Sequence, residues 1–290
     1  MATVTMGRDE PAPWSPRDTI AAYFHALADR DADTARSLLS RDVANTAPMP
    51  LTSGAALRDP GYHPPGRLKI TKLEVRGDVA TVEGDYEVDG ERRATLLTLI
   101  HEGGTGEARP WRINSLPSLP PPTGEYGFEA LLIAGTQMPS GSIEYVFHGS
   151  YLVTLPDHLI REVVAPVTVR TGDREAGALR VRMRESARQS VEAQVRTYLE
   201  RCTASRELAP RGCPFSAYSP TPVRDVVWKI AQHPAIEIAL GSTYSIEVTS
   251  TFGTATVTAR DGSGVFTESS SFSVLGHATA TTSKILFMPR

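Results

Sequence analysis

The stretch LKITKLEVRGDVATVEGDYEVDGERRATLLTLIHE, residues 68–102, decides the fold of the first part of this chain. It contains runs rich in β-branched residues, separated by the turn-forming pairs Gly77-Asp78 and Asp89-Gly90. Short runs with such pairs between them are typical of β-hairpins. With PWRINSL at residues 110–116 as a further strand, the pattern predicts an antiparallel meander.

Alternation within VATVEGDYEV, residues 79–88, predicts which side chains of this strand are buried. Successive side chains of a strand point to opposite faces of the sheet. One face of this strand carries Val82, Tyr86 and other apolar side chains, whereas the opposite face carries the acids. We therefore expect Asp85 to face solvent and Tyr86 to face the core.

A helical region precedes the meander, in SPRDTIAAYFHALADRDADTARSLLS at residues 15–40. Ser15 is a typical N-cap and Pro16 a typical first helical residue. Apolar side chains then recur at helical spacing, at Ile20, Tyr23, Phe24 and Leu27. A second short helix is predicted from Asp33 to Leu39. Helices followed by a meander predict an α+β domain, in which a curved antiparallel sheet and the helices enclose one core.

Residues 15–40, GDVATVEGDYEVDG and PWRINSLP together resemble a known family. They resemble the nuclear transport factor 2-like, cystatin-like domains that are found outside the membrane in many actinobacterial proteins. Such domains often enclose a cone-shaped pocket, in which enzymes use Asp, His or Tyr as acid and base. The resemblance implies a candidate pocket with contributions from these residues: Tyr23, His25, Asp85, Tyr86 and His101. We weigh it against a filled core, in which Tyr23 and Tyr86 only pack, and favour the filled core.

Clustered prolines mark a boundary in LPSLPPPTG, because proline cannot continue a helix or a central strand. Beyond it, runs such as GFEALLIAG and GSIEYVFHGSYLVTL predict a small all-β element that opens the second half. We predict an α+β domain over residues 1–115, a proline-rich linker over 116–124, the β-rich element over 125–172 and a C-terminal α+β domain over 173–290.

The C-terminal part repeats the plan of a helix followed by an antiparallel sheet. ESARQSVEAQVRTYLERC, residues 185–202, places its apolar side chains on one helical face, and strand-like runs follow Pro222. This part resembles the extracellular C-terminal region of actinobacterial membrane-anchored proteins of unassigned function, in which a helix leads into a cysteine pair. The resemblance supports export and carries no information on catalysis.

Cys202 and Cys213 are the only cysteines and close one short loop after this helix. A turn at the intervening prolines and glycine brings their Cβ atoms within disulfide reach, so we predict a disulfide. The alternatives are two reduced thiols in a cytoplasmic protein and, with least support, a metal site, for which the nearby sequence lacks four ligands.

A disulfide predicts an oxidising compartment, yet nothing in the sequence exports the chain. The N-terminus has neither a basic n-region nor an apolar h-region, and no apolar run is long enough to span a bilayer. We therefore expect an extracytoplasmic protein that is attached to the membrane by an upstream segment missing from this chain. The alternative is a cytoplasmic location.

Composition excludes several functions. With 290 residues, 40% hydrophobic and 22% charged, the chain is an ordinary globular protein long enough for two domains. A net charge of -3 argues against nucleic acid as a partner. The sequence has no GxSxG, GxxxxGK[ST] or HExxH motif and no calcium loop. We predict no catalytic residue, metal or cofactor, and we interpret the scattered histidines as surface or rim residues: 25, 63, 101, 148, 158, 233 and 277.

Three arginines alternate with apolar residues just before the C-terminal helix, at Arg180, Arg182 and Arg184. Such a stripe can bind an anionic partner such as a lipid headgroup or a wall polymer. The competing interpretation is a solvated sheet edge whose charge is offset by neighbouring acids.

From these patterns we predict a non-catalytic, extracytoplasmic binding or scaffolding module of the cell envelope. Its partner would be an envelope protein or a wall polymer, and a homo-oligomer is compatible with the two sheets. The first alternative is a small-molecule enzyme or ligand-binding protein that uses the N-terminal cone pocket. The second is an anion-binding module built on the arginine stripe.

Overall fold

The computed structural model describes residues 15–46, 49–102, 109–122, 130–139, 143, 145–241 and 245–290. Within these residues, no helix is both long and apolar enough to cross a membrane. The chain divides into two compact units. Unit 1 comprises residues 1–124, 129–156 and 165–179, and unit 2 comprises residues 125–128, 157–164 and 180–290.

Helices and strands are numbered along the chain. The helices are α1 (Pro16–Ala28), α2 (Ala32–Ser37), α3 (Arg41–Ala44), a 3₁₀ turn (Pro50–Thr52), α4 (Gly54–Arg58) and α5 (Glu185–Thr203). The strands up to α5 are β1 (Tyr62–His63), β2 (Lys69–Arg76), β3 (Val79–Val88), β4 (Glu91–His101), β5 (Trp111–Ile113), β6 (Ala130–Ile133), β7 (Thr136–Pro139), β8 (Ser150–Thr154), β9 (Arg161–Ala165), β10 (Val167–Arg170) and β11 (Arg180–Met183). The strands after α5 are β12 (Arg224–Gln232), β13 (Ile236–Leu240), β14 (Ser245–Ser250), β15 (Gly253–Asp261), β16 (Gly264–Phe272), β17 (Gly276–Ala280) and β18 (Ile285–Pro289).

Helix α1 begins as the sequence predicts. The Asp18 backbone N–H donates to the Ser15 hydroxyl and the Ser15 N–H donates to the Asp18 carboxylate, each at 3.2 Å, which is a capping box. The predicted apolar face is buried: Ile20, Tyr23, Phe24 and Leu27. After α2, the backbone of Leu38 and Ser40 hydrogen-bonds to Ile113 of β5, so the helical region is fastened to the edge of a sheet.

The first sheet of unit 1 is the predicted meander, antiparallel in the order β2-β3-β4-β5. Burial alternates along β3, with Val82 and Tyr86 1% exposed and Asp85 partly exposed, as the alternation predicts. Asp89 and Gly90 between β3 and β4 both have positive φ, 52° and 77°, which suits a two-residue hairpin turn.

The second sheet of unit 1 is built around β8. Strands β1, β6 and β10 all pair antiparallel with β8, and β7 extends the sheet beyond β6. Residues 129–156 and 165–172, most of the segment predicted as a small β-rich element, thus group with unit 1, as do residues 173–179, which were predicted to open the C-terminal domain. Of the predicted linker, residues 123–124 lie outside the described residues, and Leu119 makes a bridge to Ile143.

Unit 2 contains one antiparallel meander whose strands are divided between two sheets, and the chain passes from one sheet to the other three times. The sheets have the orders β12-β15-β16 and β13-β14-β17-β18. Because β12 runs into β13, β14 into β15 and β16 into β17, the two sheets are halves of one meander that bends in the middle. Gly253 is the first residue of β15, after the bend from β14, and Gly276 is the first residue of β17, after the bend from β16. A Cβ on Gly276 would lie 2.6 Å from the Met288 carbonyl oxygen, so only glycine fits there.

Helix α5 buries its apolar face against this meander. Its buried residues include the predicted set, Val191, Val195, Tyr198, Leu199 and Cys202. On the same helix, the Gln194 side chain makes the two hydrogen bonds that a neighbouring strand would make with β18. Its Nε2 donates to the Ile285 carbonyl at 3.0 Å and its Oε1 accepts from the Phe287 N–H at 2.9 Å. These bonds cover the edge of β18. The predicted mixture of helices with mostly antiparallel sheets is confirmed.

Replacing Gly276 by alanine is expected to lower the free energy of unfolding of unit 2 by about 1–3 kcal/mol, because the new methyl overlaps backbone and ring atoms that cannot move aside cheaply. Chemical denaturation measures the change. Gly262→Ala is the matched control, since its Cβ meets nothing within 4 Å. Equal losses in the two variants would contradict the close approach at the bend.

Candidate functional site

The most unusual polar group of the chain is His148, which is 2% exposed inside unit 1. Its Nδ1 lies 3.1 Å from the Tyr23 hydroxyl, and its Nε2 lies 2.9 Å from the Thr95 hydroxyl. The rings of Tyr23, Phe24 and Tyr86 surround the imidazole at centroid distances of 5.7, 5.2 and 5.5 Å. Burial lowers the pKa of His148 from 6.5 to about 3, so the ring is neutral at neutral pH.

His148 lies in an irregular stretch, residues 145–149, which we call the core segment. Buried backbone outside helices and sheets must find other hydrogen-bond partners. Here, tyrosine hydroxyls supply them: Tyr62 donates to the His148 carbonyl at 2.8 Å and Tyr151 donates to the Phe147 carbonyl at 2.7 Å. The buried core segment is therefore satisfied in part by tyrosine side chains, and its Val146 N–H donates to the Pro117 carbonyl at 3.0 Å.

Thr171 and Gly149 complete the anchoring of the core segment. The Gly149 N–H donates to the Thr171 hydroxyl at 3.1 Å, and the Thr171 N–H donates to the Gly149 carbonyl at 3.0 Å. Gly149 has φ +148°, and a Cβ there would lie 2.6 Å from the Tyr62 ring. The Tyr86 hydroxyl donates to the Thr171 carbonyl at 2.9 Å, which joins β3 to the same cluster.

The chemistry available in this interior is limited. Burial raises the pKa of Tyr23, Tyr62 and Tyr151, so these phenols stay protonated and act as hydrogen-bond donors. Both nitrogens of His148 already have protein partners. The His148 ring and these phenols are thus neutral and paired with the protein, whereas an acid–base catalyst needs a pKa near the working pH and contact with substrate.

Only part of the predicted pocket comes together. Tyr23 and Tyr86 both contact His148. His25 lies on the exposed side of α1 with its Nδ1 3.3 Å from the Asp29 carboxylate. His101 stacks on Trp111 at 3.8 Å between ring centroids, and its Nδ1 lies 2.8 Å from the Arg109 carbonyl oxygen.

The interpretation of His148 as a surface or rim residue is wrong, because its ring is in the centre of unit 1. Its local sequence, EYVFHGSY, has no helical or strand period that would mark it as buried. The available signal was its position between Phe147 and Gly149, an apolar neighbour and a residue that permits positive φ.

A His–Asp pair does exist in unit 1, but outside this cluster. The His63 Nδ1 lies 2.5 Å from one oxygen of Asp89, and the Arg170 Nε donates to the other at 3.2 Å. Although partial burial opposes the shift, the hydrogen bond from His63 and the charge of Arg170 hold the pKa of Asp89 below its ordinary value. This pair ties the β3–β4 turn to β1 and β10.

A small cavity of about 180 Å³ reaches the His148 cluster. Its described lining is Tyr86, Ala94, Thr95, Leu96, Leu97, Ser115, Leu116, Pro117, His148, Thr171 and Gly172. Ligand pockets for drug-sized molecules are larger, roughly 300–1,000 Å³. The His148 ring of the core segment, which contacts Tyr23 of α1 and Thr95 of β4, lines part of this cavity.

A larger groove lies in unit 2, between α5 and the bend from β12 to β13, with a volume of about 860 Å³. Its apolar lining is Val195, Leu199, Trp228, Ile230, Pro234 and Ile236. Its polar lining is Glu192, Arg196, Glu200, Thr203, Lys229 and His233. We call this surface the α5 groove.

The arginine stripe is engaged within unit 2. The Arg182 Nε donates to the Glu162 carboxylate at 2.5 Å. Arg184 pairs with the Asp157 carboxylate and donates to the His158 carbonyl at 2.7 Å. Arg180 is exposed on β11. Two of the three charges are thus offset by acids from the preceding strand region, which favours the interpretation as a solvated sheet edge.

Cys202 and Cys213 lie at disulfide-bonding distance, with Sγ atoms 2.05 Å and Cα atoms 5.7 Å apart. In the part of the chain that the structure describes, no three His, Cys, Asp or Glu side chains gather as a metal site would require. Comparison with protein-family models, curated proteins and solved structures finds no match for this chain.

The buried imidazole predicts an acid-sensitive unit 1. The folded pKa of His148, about 3, is below the unfolded value of 6.5, so the unfolded state binds the proton more readily between these values. Stability is fully present above pH 6.5 and falls as the pH is lowered. From about pH 7 to about pH 5 the loss is about 2 kcal/mol.

Denaturation at the two pH values, together with NMR titration of the His148 ring, measures this effect. His25→Gln is the control, because it removes an exposed imidazole and leaves the buried ring of His148 in place. A His148 ring that titrates near its ordinary pKa in the folded protein would contradict the burial.

Proposed function

We propose that this chain is a non-catalytic, extracytoplasmic binding or scaffolding module of a cell envelope, and that the α5 groove is its binding surface. In this proposal both units are helix-on-curved-sheet domains of the nuclear transport factor 2-like, cystatin-like kind. The chain would belong to an actinobacterial membrane-anchored protein. An upstream anchor would hold it at the membrane.

The observation that carries the proposal is the α5 groove itself. At about 860 Å³ it has the size and the apolar floor of a binding site, with polar side chains along the rim. Leu199 and Trp228 are buried in the floor, whereas Ile230 and Ile236 are partly exposed and offer apolar contact area. A partner that covers these isoleucines would gain hydrophobic free energy without rearranging the core.

The charges along the groove favour a protein segment as the partner. Glu192, Arg196 and Glu200 alternate in sign along α5, and Lys229 of β12 also lines the groove. The charges of these four residues cancel, so the groove lacks the positive field that would attract an anionic wall polymer. A peptide segment with apolar side chains and charges of both signs matches this surface better.

The packing of unit 1 weakens the enzyme alternative. The core segment occupies the interior where a cone pocket would lie, and its polar atoms are paired with the protein. The cysteine pair supports the proposed location, since both cysteines of the chain are at bonding distance and disulfides persist in oxidising compartments.

The groove is tested by Ile230→Arg, which places a charge on the apolar floor. Peptides selected against the wild-type protein from a random display library are expected to bind this variant at least tenfold more weakly, about 1.4 kcal/mol. The matched control is Val265→Arg, because Val265 is 59% exposed on β16 and lies away from the groove.

Denaturation of both variants shows that they are folded before affinities are compared. Selected peptides that bind Ile230→Arg as tightly as wild type would contradict the groove as the binding surface. Selection that yields no groove-dependent peptide, with binding of an anionic wall polymer instead, would contradict the partner class.

The cysteine pair gives a separate prediction. The loop it closes has a sequence separation of 11, for which cross-linking stabilises the folded state by about 3 kcal/mol in the chain-entropy model. Cys213→Ala is expected to lower the unfolding free energy by this amount without reductant and by much less with reductant. An equal difference under both conditions would show that the pair is not cross-linked.

A further inference from the structure

We infer that the small cavity of unit 1 binds a small, neutral molecule with a hydrogen-bond acceptor, such as a carboxamide, through the hydroxyls of Thr95 and Ser115. This site is separate from the α5 groove and does not depend on the proposed function. It follows from the size of the cavity, the direction of its hydrogen bonds and the charge of its lining.

The size limits the ligand. At about 180 Å³, the cavity has room for roughly six water-sized groups, taking about 30 Å³ for each. Leu97, Leu116 and Pro117 form an apolar wall, against which a methyl group fits. The polar groups of the cavity come from Thr95, Ser115 and the His148 cluster.

The hydrogen bonds of His148 determine what Thr95 can do. The buried Tyr23 hydroxyl stays protonated and lies 3.1 Å from Nδ1, the side-chain atom to which it can donate. The phenol therefore gives its own proton to Nδ1, which leaves the proton of the neutral ring on Nε2. Nε2 donates to the Thr95 hydroxyl at 2.9 Å, so Thr95 accepts on its protein side and has its own proton left for the cavity.

The Ser115 hydroxyl is also left with a proton that it can donate into the cavity. It accepts the Thr98 backbone N–H at 3.0 Å, so its own proton is left to donate. The Thr171 hydroxyl, in contrast, is used within the protein by Gly149 and Tyr86. The cavity thus presents two hydroxyl donors, a pattern that recognises an acceptor oxygen.

The described lining contains no Lys, Arg, Asp or Glu, and His148 is neutral. A charged ligand would lose its hydration here without gaining an opposite charge, which is costly. A carboxamide keeps the acceptor oxygen at much lower desolvation cost. The site therefore distinguishes acetamide from acetate, two molecules of nearly equal size.

NMR titration of the full chain with acetamide and with acetate tests the site. We expect saturable shifts with acetamide at Thr95, Ser115 and His148, and none of these shifts with acetate. Thr95→Val, which removes the hydroxyl and keeps the shape, should weaken acetamide binding at least tenfold. Thr95→Ser should restore it, and Thr81→Val on the outer face of β3 is the matched control.

Ser115→Ala serves as a second variant if Thr95→Val fails to fold, and it should show the same loss. Absence of saturable shifts with acetamide would overturn the inference and leave the cavity as a site for water. Equal binding of acetate, or unchanged binding by both hydroxyl variants, would overturn it as well.

Discussion

The fold of unit 1 depends on hydrogen-bond partners for a buried stretch of irregular backbone, the core segment. The core segment carries carbonyl and N–H groups into an interior without helix or strand partners, and each unpaired group there would cost free energy. Tyr62 and Tyr151 donate to two of these carbonyls, and Thr171 pairs with Gly149. The tyrosines come from strands on either side of the segment, so the same hydroxyls that satisfy the backbone also hold the second sheet of unit 1 in place.

The interior of unit 1 and the α5 groove of unit 2 are suited to different ligands. The His148 cluster, which is neutral and paired with the protein, is suited to stability, and the hydroxyls of Thr95 and Ser115 beside it suit a small neutral ligand. The α5 groove lies at a different feature, the bend of the unit 2 meander from β12 to β13, where a Cβ on Gly253 would lie 2.8 Å from the Gln232 carbonyl oxygen and from Pro234. The floor of this groove is apolar and its rim carries charges of both signs, which suits binding of a protein partner rather than catalysis.

Local patterns in the sequence predicted the regular elements well. The Ser15 capping box, the alternation that buries Tyr86 and the apolar face of α5 are each determined by residues within a few positions, and all appear in the structure. The site was harder to predict, because it joins Tyr23, Thr95 and His148 from three separate segments. The core segment has no period, and the acids that offset the arginine stripe lie twenty or more positions away in sequence, as Glu162 does from Arg182.

Hydrogen exchange of the backbone amides of the core segment tests the burial of this segment most directly. We predict that the Gly149 N–H, bonded to the Thr171 hydroxyl, exchanges only through global unfolding of unit 1, as slowly as the central amides of β3 and β4. Exchange of this amide as fast as that of exposed loops would contradict the burial of the core segment, since the segment would then be in contact with solvent.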